Sequence, residues 1–214
     1  MKKILFSAIV LATTYGNAQE VSFGAKLGLN VSSFSGDVTD SKSLIGAQFG
    51  GFAEIKISDK FAVQPELLFS MQGAKSEYTE TVLGDSYSEE SKTKLNYLNV
   101  PLLAKYYIAD KFAILGGPQF GILMSAKEDF DVTETISGVT DNYSESADVK
   151  DFYKTLSLSF NVGAAYAITE NIFVDARYNL GLSSIAKDFT DEFGDSNSAN
   201  IKNNVIQFSV GYKF

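Results

Sequence analysis

Eight segments in which apolar and polar residues alternate, connections that are short and long in strict turn, and a last segment that ends on an aromatic residue predict an all-β chain, an eight-stranded antiparallel up-and-down transmembrane β-barrel with short periplasmic turns and long external loops. Alternation sustained over about ten residues sends successive side chains to opposite faces, which is the geometry of a strand and not of a helix. A strand of about ten residues also crosses a bilayer when tilted.

The first residues carry a different pattern. Lys2 and Lys3 are followed by a short apolar run from Ile4 to Leu11, and Gly16-Asn17-Ala18 then places small residues before Gln19. Charged start, short apolar run and small-residue cleavage site predict a secretory signal peptide over 1–18, too short in its apolar part to span a bilayer. The barrel domain is then expected over 19–214.

The strands follow in order. Phe23, Ala25, Leu27, Leu29 and Val31 share one face of the first, opposite Gly24, Lys26, Gly28 and Asn30. The next apolar faces are Phe49/Gly51/Ala53/Ile55/Ile57, Phe61/Val63/Pro65/Leu67/Phe69/Met71 and Leu98/Val100/Leu102/Ala104/Tyr106/Ile108. The second half repeats the pattern with Phe112/Ile114/Pro118/Phe120/Ile122/Met124, Leu156/Leu158/Phe160/Val162/Ala164/Tyr166/Ile168, Ile172/Val174/Ala176/Tyr178/Leu180/Leu182 and Ile206/Phe208/Val210/Tyr212/Phe214. Ser58-Asp59-Lys60, Ala109-Asp110-Lys111 and Thr169-Glu170-Asn171 read as tight turns, and 35–45, 74–94, 127–151 and 187–203 as long loops. An even strand number puts both ends of the barrel on the short-turn rim.

Periodicity alone does not say which face is inside, and a soluble up-and-down barrel would carry its apolar face inward. Four features favour a membrane: the export signal, the loop asymmetry, the aromatics Phe61, Tyr106, Phe112, Tyr166, Tyr178, Tyr212 and Phe214 near the ends of apolar faces, and the terminal aromatic. Phe208, Val210, Tyr212 and Phe214 on one face of the last strand are expected to form the C-terminal signal read by the outer-membrane assembly machinery. The expected location is the outer membrane of a Gram-negative bacterium, with membrane lipid as the constant partner and the protein a monomer.

Composition narrows function by exclusion. The chain has no Cys, which closes lipid anchoring, disulfides and thiolate metal sites. It has no His, which removes the commonest general base and metal ligand, and with them a Ser-His-Asp triad or a His-zinc centre. The formal charge of -8 argues against nucleic acid as a partner. No catalytic residue, cofactor or metal site is expected. Gly50-Gly51 and Gly116-Gly117-Pro118 lie inside strands and precede no helix, so they suit close packing and not phosphate binding.

Several segments resemble the PorT-like outer-membrane β-barrel family of the Bacteroidetes. They are Gln64-Pro65-Glu66-Leu67-Leu68-Phe69 with Gly73, the run from Leu95 to Tyr106, Gly117-Pro118-Gln119-Phe120-Gly121, and Asp175-Ala176-Arg177-Tyr178-Asn179-Leu180-Gly181-Leu182. Asn99 stands where the family pattern leads one to expect an acid. The resemblance implies the barrel fold, and by its eponymous member an accessory role in protein secretion; strand motifs by themselves specify no activity.

Lys26, Glu54, Lys56, Glu66, Lys105, Asp175 and Arg177 fall mid-strand on the polar face. With the apolar face in lipid they point inward, into a lumen that eight strands make just wide enough for side chains to fill. Buried charges there must pair, so an interior network of ion pairs that plugs the lumen is expected, and a polar path for a small solute is the alternative. The third loop carries Glu128, Asp129, Asp131, Glu134, Asp141, Glu145, Asp148 and Asp151, and the fourth Asp188, Asp191, Glu192 and Asp195. They read as solvated surface, with oxygen-ligated cations or a basic partner as the functional alternative. The functional expectation is a non-enzymatic scaffold that presents acidic external loops, against a narrow porin-like channel or a secretion accessory.

Overall fold

The computed structural model describes residues 20–82, 85–190, 196–197 and 199–214. The expected signal peptide over 1–18 lies outside the described residues, as do Asp191, Glu192 and Asp195 of the fourth loop.

The strands are β1 (Val21–Gly36), β2 (Lys42–Ser58), β3 (Phe61–Val82), β4 (Asp85–Ala109), β5 (Phe112–Ile136), β6 (Val139–Asp148), β7 (Leu156–Ala167), β8 (Ile172–Gly181), the short pair β9 (Phe189–Thr190) and β10 (Ser196–Asn197), and β11 (Ile201–Lys213). Successive strands of the ring pair antiparallel, β5 with β7 and β8 with β11 included, and β11 closes on β1 with Leu29 opposite Phe208 and Ala25 opposite Tyr212. The ring therefore holds eight strands, β1, β2, β3, β4, β5, β7, β8 and β11, with β6 standing outside it as a hairpin partner of the outer part of β5.

Burial in the closed ring settles which face points outward. Phe23, Leu27, Leu29, Phe49, Phe120, Leu156, Val162, Phe208 and Tyr212 are exposed on the outer wall, while Lys26, Gln48, Glu66, Asn99, Asp175 and Arg177 are buried inside it. This is the inverse of a water-soluble barrel. Around the short-turn rim Tyr106 sits opposite Phe61, Phe112 opposite Tyr166 and Tyr212 opposite Ile172, a belt of the kind aromatic side chains form at a membrane interface.

The tight turns lie where expected, at Asp59-Lys60, Asp110-Lys111 and Thr169-Asn171. The second and third long loops do not stay loops. β3 continues to Val82 and β4 begins at Asp85, with Ala74 opposite Thr93 and Val82 opposite Asp85. β5 continues to Ile136 and returns as β6. The outer halves of β3, β4 and β5 and all of β6 thus form a four-stranded sheet that stands clear of the barrel. At about 3.3 Å per residue it rises on the order of 30 Å. The alternation of apolar and polar residues fades over these stretches because both faces meet water, while Thr, Tyr and Val retain their preference for the pleat.

Candidate functional site

The lumen is built in three layers. Nearest the short-turn rim, Glu54 accepts hydrogen bonds from Lys105 Nζ at 2.6 Å, Lys213 Nζ at 2.7 Å and the Tyr107 hydroxyl at 2.7 Å. Phe52 and Phe173 pack edge to face beside it, centroids 5.3 Å apart, and Lys105 lies 5.2 Å from the Phe173 ring centre, within cation–π range. Room for this pair comes from glycine: a Cβ at Gly24 would run into the Phe52 ring and the Tyr212 carbonyl, and one at Gly211 into the Phe173 ring.

One step further in, Arg177 donates from Nη1 to Glu66 Oε2 at 2.8 Å and from Nη2 to Glu66 Oε1 at 2.6 Å, a two-point fork. Asp175 Oδ1 lies 3.0 Å from Arg177 Nε, and Lys26 Nζ is 2.7 Å from Asp175 Oδ2 and 3.4 Å from Glu66. Gln64 joins the two clusters, donating to Glu66 at 2.7 Å and accepting from Lys105 at 3.3 Å. The four cations Lys26, Lys105, Arg177 and Lys213 face the three anions Glu54, Glu66 and Asp175, and the extra positive charge falls on Lys213, whose side chain is 20% exposed at the mouth.

The middle layer is uncharged. Asn203 donates to Gln72 at 2.6 Å, Gln72 to Ser70 at 2.8 Å, Asn179 to Asn161 at 3.1 Å, Asn161 to Gln119 at 3.2 Å and Gln207 to Gln48 at 3.1 Å. Between them remains a cavity of about 10 Å³ lined by Gln72, Asn99, Gln119, Ser159, Asn179 and Asn203. That is the room of about one water molecule. The Asn99 amide nitrogen and the Asn203 carbonyl oxygen have no partner among the described residues and are the groups such a water would satisfy.

The third layer is apolar. Leu95, Tyr97, Leu123, Ala126, Val149 and Ile185 form a buried cluster backed by Phe34, Tyr153 and Ile201. Two external segments fold across the mouth to make it. The turn of 3-10 helix at Lys150–Phe152 and the segment around Ile185 are tied by Lys154 N–H to the Ile185 carbonyl at 2.7 Å and Lys187 N–H to the Phe152 carbonyl at 2.9 Å.

Of the seven charged residues singled out in the sequence, the structure brings Lys26, Glu54, Glu66, Lys105, Asp175 and Arg177 into contact in the lumen. Lys56 is the exception. It lies at the end of β2, where a register shift interrupts the pairing with β3, its side chain is 38% exposed, and it pairs with Glu20 at 2.8 Å. Strand parity placed it on the inner face, but its height put it at the mouth. Lys213 and Tyr107 were missed in turn; both stand at strand ends, where sequence alone cannot show which side chains lean back over the rim. Tyr212 and Phe214 of the last strand touch on the outer wall, ring centres 5.8 Å apart, and the Phe214 N–H bonds to the Phe23 carbonyl.

Residues 17–187 match the family described as outer membrane protein beta-barrel domain. No curated protein matches the chain. Among solved structures it is similar to Ail, the attachment invasion locus protein of Yersinia pestis, at 15% identity over 91% of this chain and 99% of that one, with a TM-score of 0.42. The Neisserial surface protein A matches at 13% identity over 92% and 100%, TM-score 0.44. The Escherichia coli outer membrane protease OmpT matches at 12% identity over 94% and 100%, TM-score 0.35.

Proposed function

We propose, on the premise that this chain belongs to the outer membrane protein beta-barrel domain family, that it is a closed, non-enzymatic barrel serving as a rigid mount for an external β-sheet arm that makes the contacts. Residues 1–18 direct export, and the exposed Phe208, Val210, Tyr212 and Phe214 direct assembly into the membrane. The observation that carries the reading is the filling of the lumen by three successive layers, with a central cavity of only about 10 Å³. A path for solutes would require the fork between Arg177 and Glu66 to open, and breaking a buried pair costs several kcal/mol, on the order of 3–5.

The PorT-like segments are consistent with this division. They supply Gln64, Glu66, Asn99, Lys105, Gln119, Asp175, Arg177 and Asn179, all inside the lumen, and so belong to the mount and not to the arm. A role beside a secretion apparatus would have to be carried by the arm.

Conductance tests the reading. Residues 19–214 refolded into a planar bilayer should show no steady openings while migrating as a heat-modifiable barrel on gels. Reproducible openings would replace it with the narrow porin-like channel, the lumen charges then acting as its selectivity lining.

A further inference from the structure

The two faces of the arm are unlike. One continues the outer side of the barrel wall and carries Lys75, Glu77, Glu90, Lys92, Lys94, Lys127, Asp129, Asp131 and Asp148 among Ser and Thr residues. Most of its charges are mutually paired: Lys42 and Lys75 with Glu77, Lys92 with Glu90 and Asp131, Lys94 with Asp129; Lys127 and Asp148 are in no ion pair among the described residues. Its hydroxyls are bonded too, Ser144 to Asp131, Ser146 to Asp129 and Thr133 to Asn142.

The other face continues the inner side of the wall and looks over the barrel mouth. By strand register it holds Tyr78, Tyr87, Phe130, Val132 and Tyr143 together with Glu80, Asp85, Glu89, Glu128, Glu134, Asp141 and Glu145. That is seven acids and no Lys or Arg on these four strands. None of the seven is in an ion pair among the described residues; Glu80, Glu89 and Glu145 instead accept hydrogen bonds from Tyr78, Tyr87 and Tyr143 two residues away. Tyr78 and Tyr143 are more than half exposed, and the Tyr78 and Tyr87 rings lie 6.3 Å apart. At the foot of this face a cleft of about 140 Å³, about the volume of one side chain, has Phe34, Val38 and Thr39 on one side and Thr93 and Glu128 on the other, the Glu128 carboxylate held by Ser91 at 2.8 Å; Lys75 also borders it, its charge engaged by Glu77 at 2.8 Å.

We infer that this face docks a cationic, amphipathic polypeptide segment, one that alternates Lys or Arg with apolar side chains. Carboxylates without cationic partners attract cations, aromatic rings beside them take both cation–π and apolar contacts, and the cleft accepts an aliphatic stem with its charged head at Glu128. Four strands about 4.8 Å apart and about 30 Å long offer roughly 500 Å², more than a small cation covers and at the low end for a protein partner, so the contact is a transient one. The inference rests on the reading of the barrel as a mount, but that reading falls on conductance and this one on binding, so the two fail separately.

The test is a titration of the mature chain in zwitterionic phosphatidylcholine nanodiscs with the peptide (Lys-Phe-Lys-Leu)3, with (Lys-Ser)6 and (Glu-Phe-Glu-Leu)3 as controls, each variant first checked for heat-modifiable migration. Saturable binding of the first peptide is expected, weakened at least tenfold by the combined changes Glu89→Gln, Glu128→Gln, Glu134→Gln and Glu145→Gln. Removing as many acids from the opposite face, by Glu77→Gln, Glu90→Gln, Asp129→Asn and Asp131→Asn, should change it less than threefold. Tyr78→Ser with Phe130→Ser should also weaken it. No binding, equal loss from either face, or equally tight binding of (Lys-Ser)6 would overturn the proposal.

Discussion

Strands β3, β4 and β5 each pass through two environments, and the same kind of ion pair means different things in each. Inside the wall Arg177 and Glu66 are buried and forked, with Gln64 and Lys26 taking up further capacity of the carboxylate. On the arm Lys94 and Asp129 are 2.5 Å apart and equally close in distance, but the Lys94 side chain is 51% exposed. In the lumen water cannot replace a lost partner, so each charge depends on the others. On the arm water can, so the pairs shape a neutral surface and contribute little to stability. Charge in the lumen is structural because it is trapped, and charge on the arm is free to serve binding because it is not.

The sharpest way to break this comparison is Arg177→Ala, which leaves Glu66 and Asp175 facing only Lys26 in the lumen. It should lower stability by about 3–5 kcal/mol in denaturant unfolding of the refolded barrel; an unchanged midpoint would show that water reaches the lumen after all. Gly24→Ala comes next, because the added methyl meets the Phe52 ring and the Tyr212 carbonyl. Overpacking of this kind costs about 1–3 kcal/mol, and a neutral result would mean that the Phe52 and Phe173 pair can shift without loss. On the arm, Asp129→Asn removes an exposed pair and should cost less than about 1 kcal/mol, falling further at high salt. A larger loss would make the arm part of the cooperative fold.

The smallest effect is one of pH. Hydrogen bonds from Lys42 and Lys75 hold the Glu77 carboxyl down at about 2, from an ordinary value of 4.5. A carboxylate held low in the folded state contributes above its ordinary value, and that contribution is lost as pH falls through about 2. Carboxyl carbon shifts of Glu77 should therefore stay those of the ionised form through pH 4; a midpoint near 4.5 would show that the pairs on this face do not persist.

The sequence by itself determined the wall. Parity along each strand sorted the side chains into two faces, because a pleat has a period of two, and the export signal, loop asymmetry and aromatic residues assigned the apolar face to lipid. The turns at 59–60, 110–111 and 169–171 and the count of ring strands were legible for the same reason. Parity carries no information about height or about partners across the lumen. Lys56 shares the inner face of β2 with Glu54, yet it leaves the network for Glu20 at the rim, while Lys213 and Tyr107 join it from strand ends. Arg177 and Glu66 lie 111 residues apart and meet because the ring closes. The arm was hidden for the opposite reason. With water on both faces, no buried side imposes an alternation, and only the pairing of β3, β4, β5 and β6 sorts the acids without cationic partners and the aromatics onto one surface and most of the paired charges onto the other.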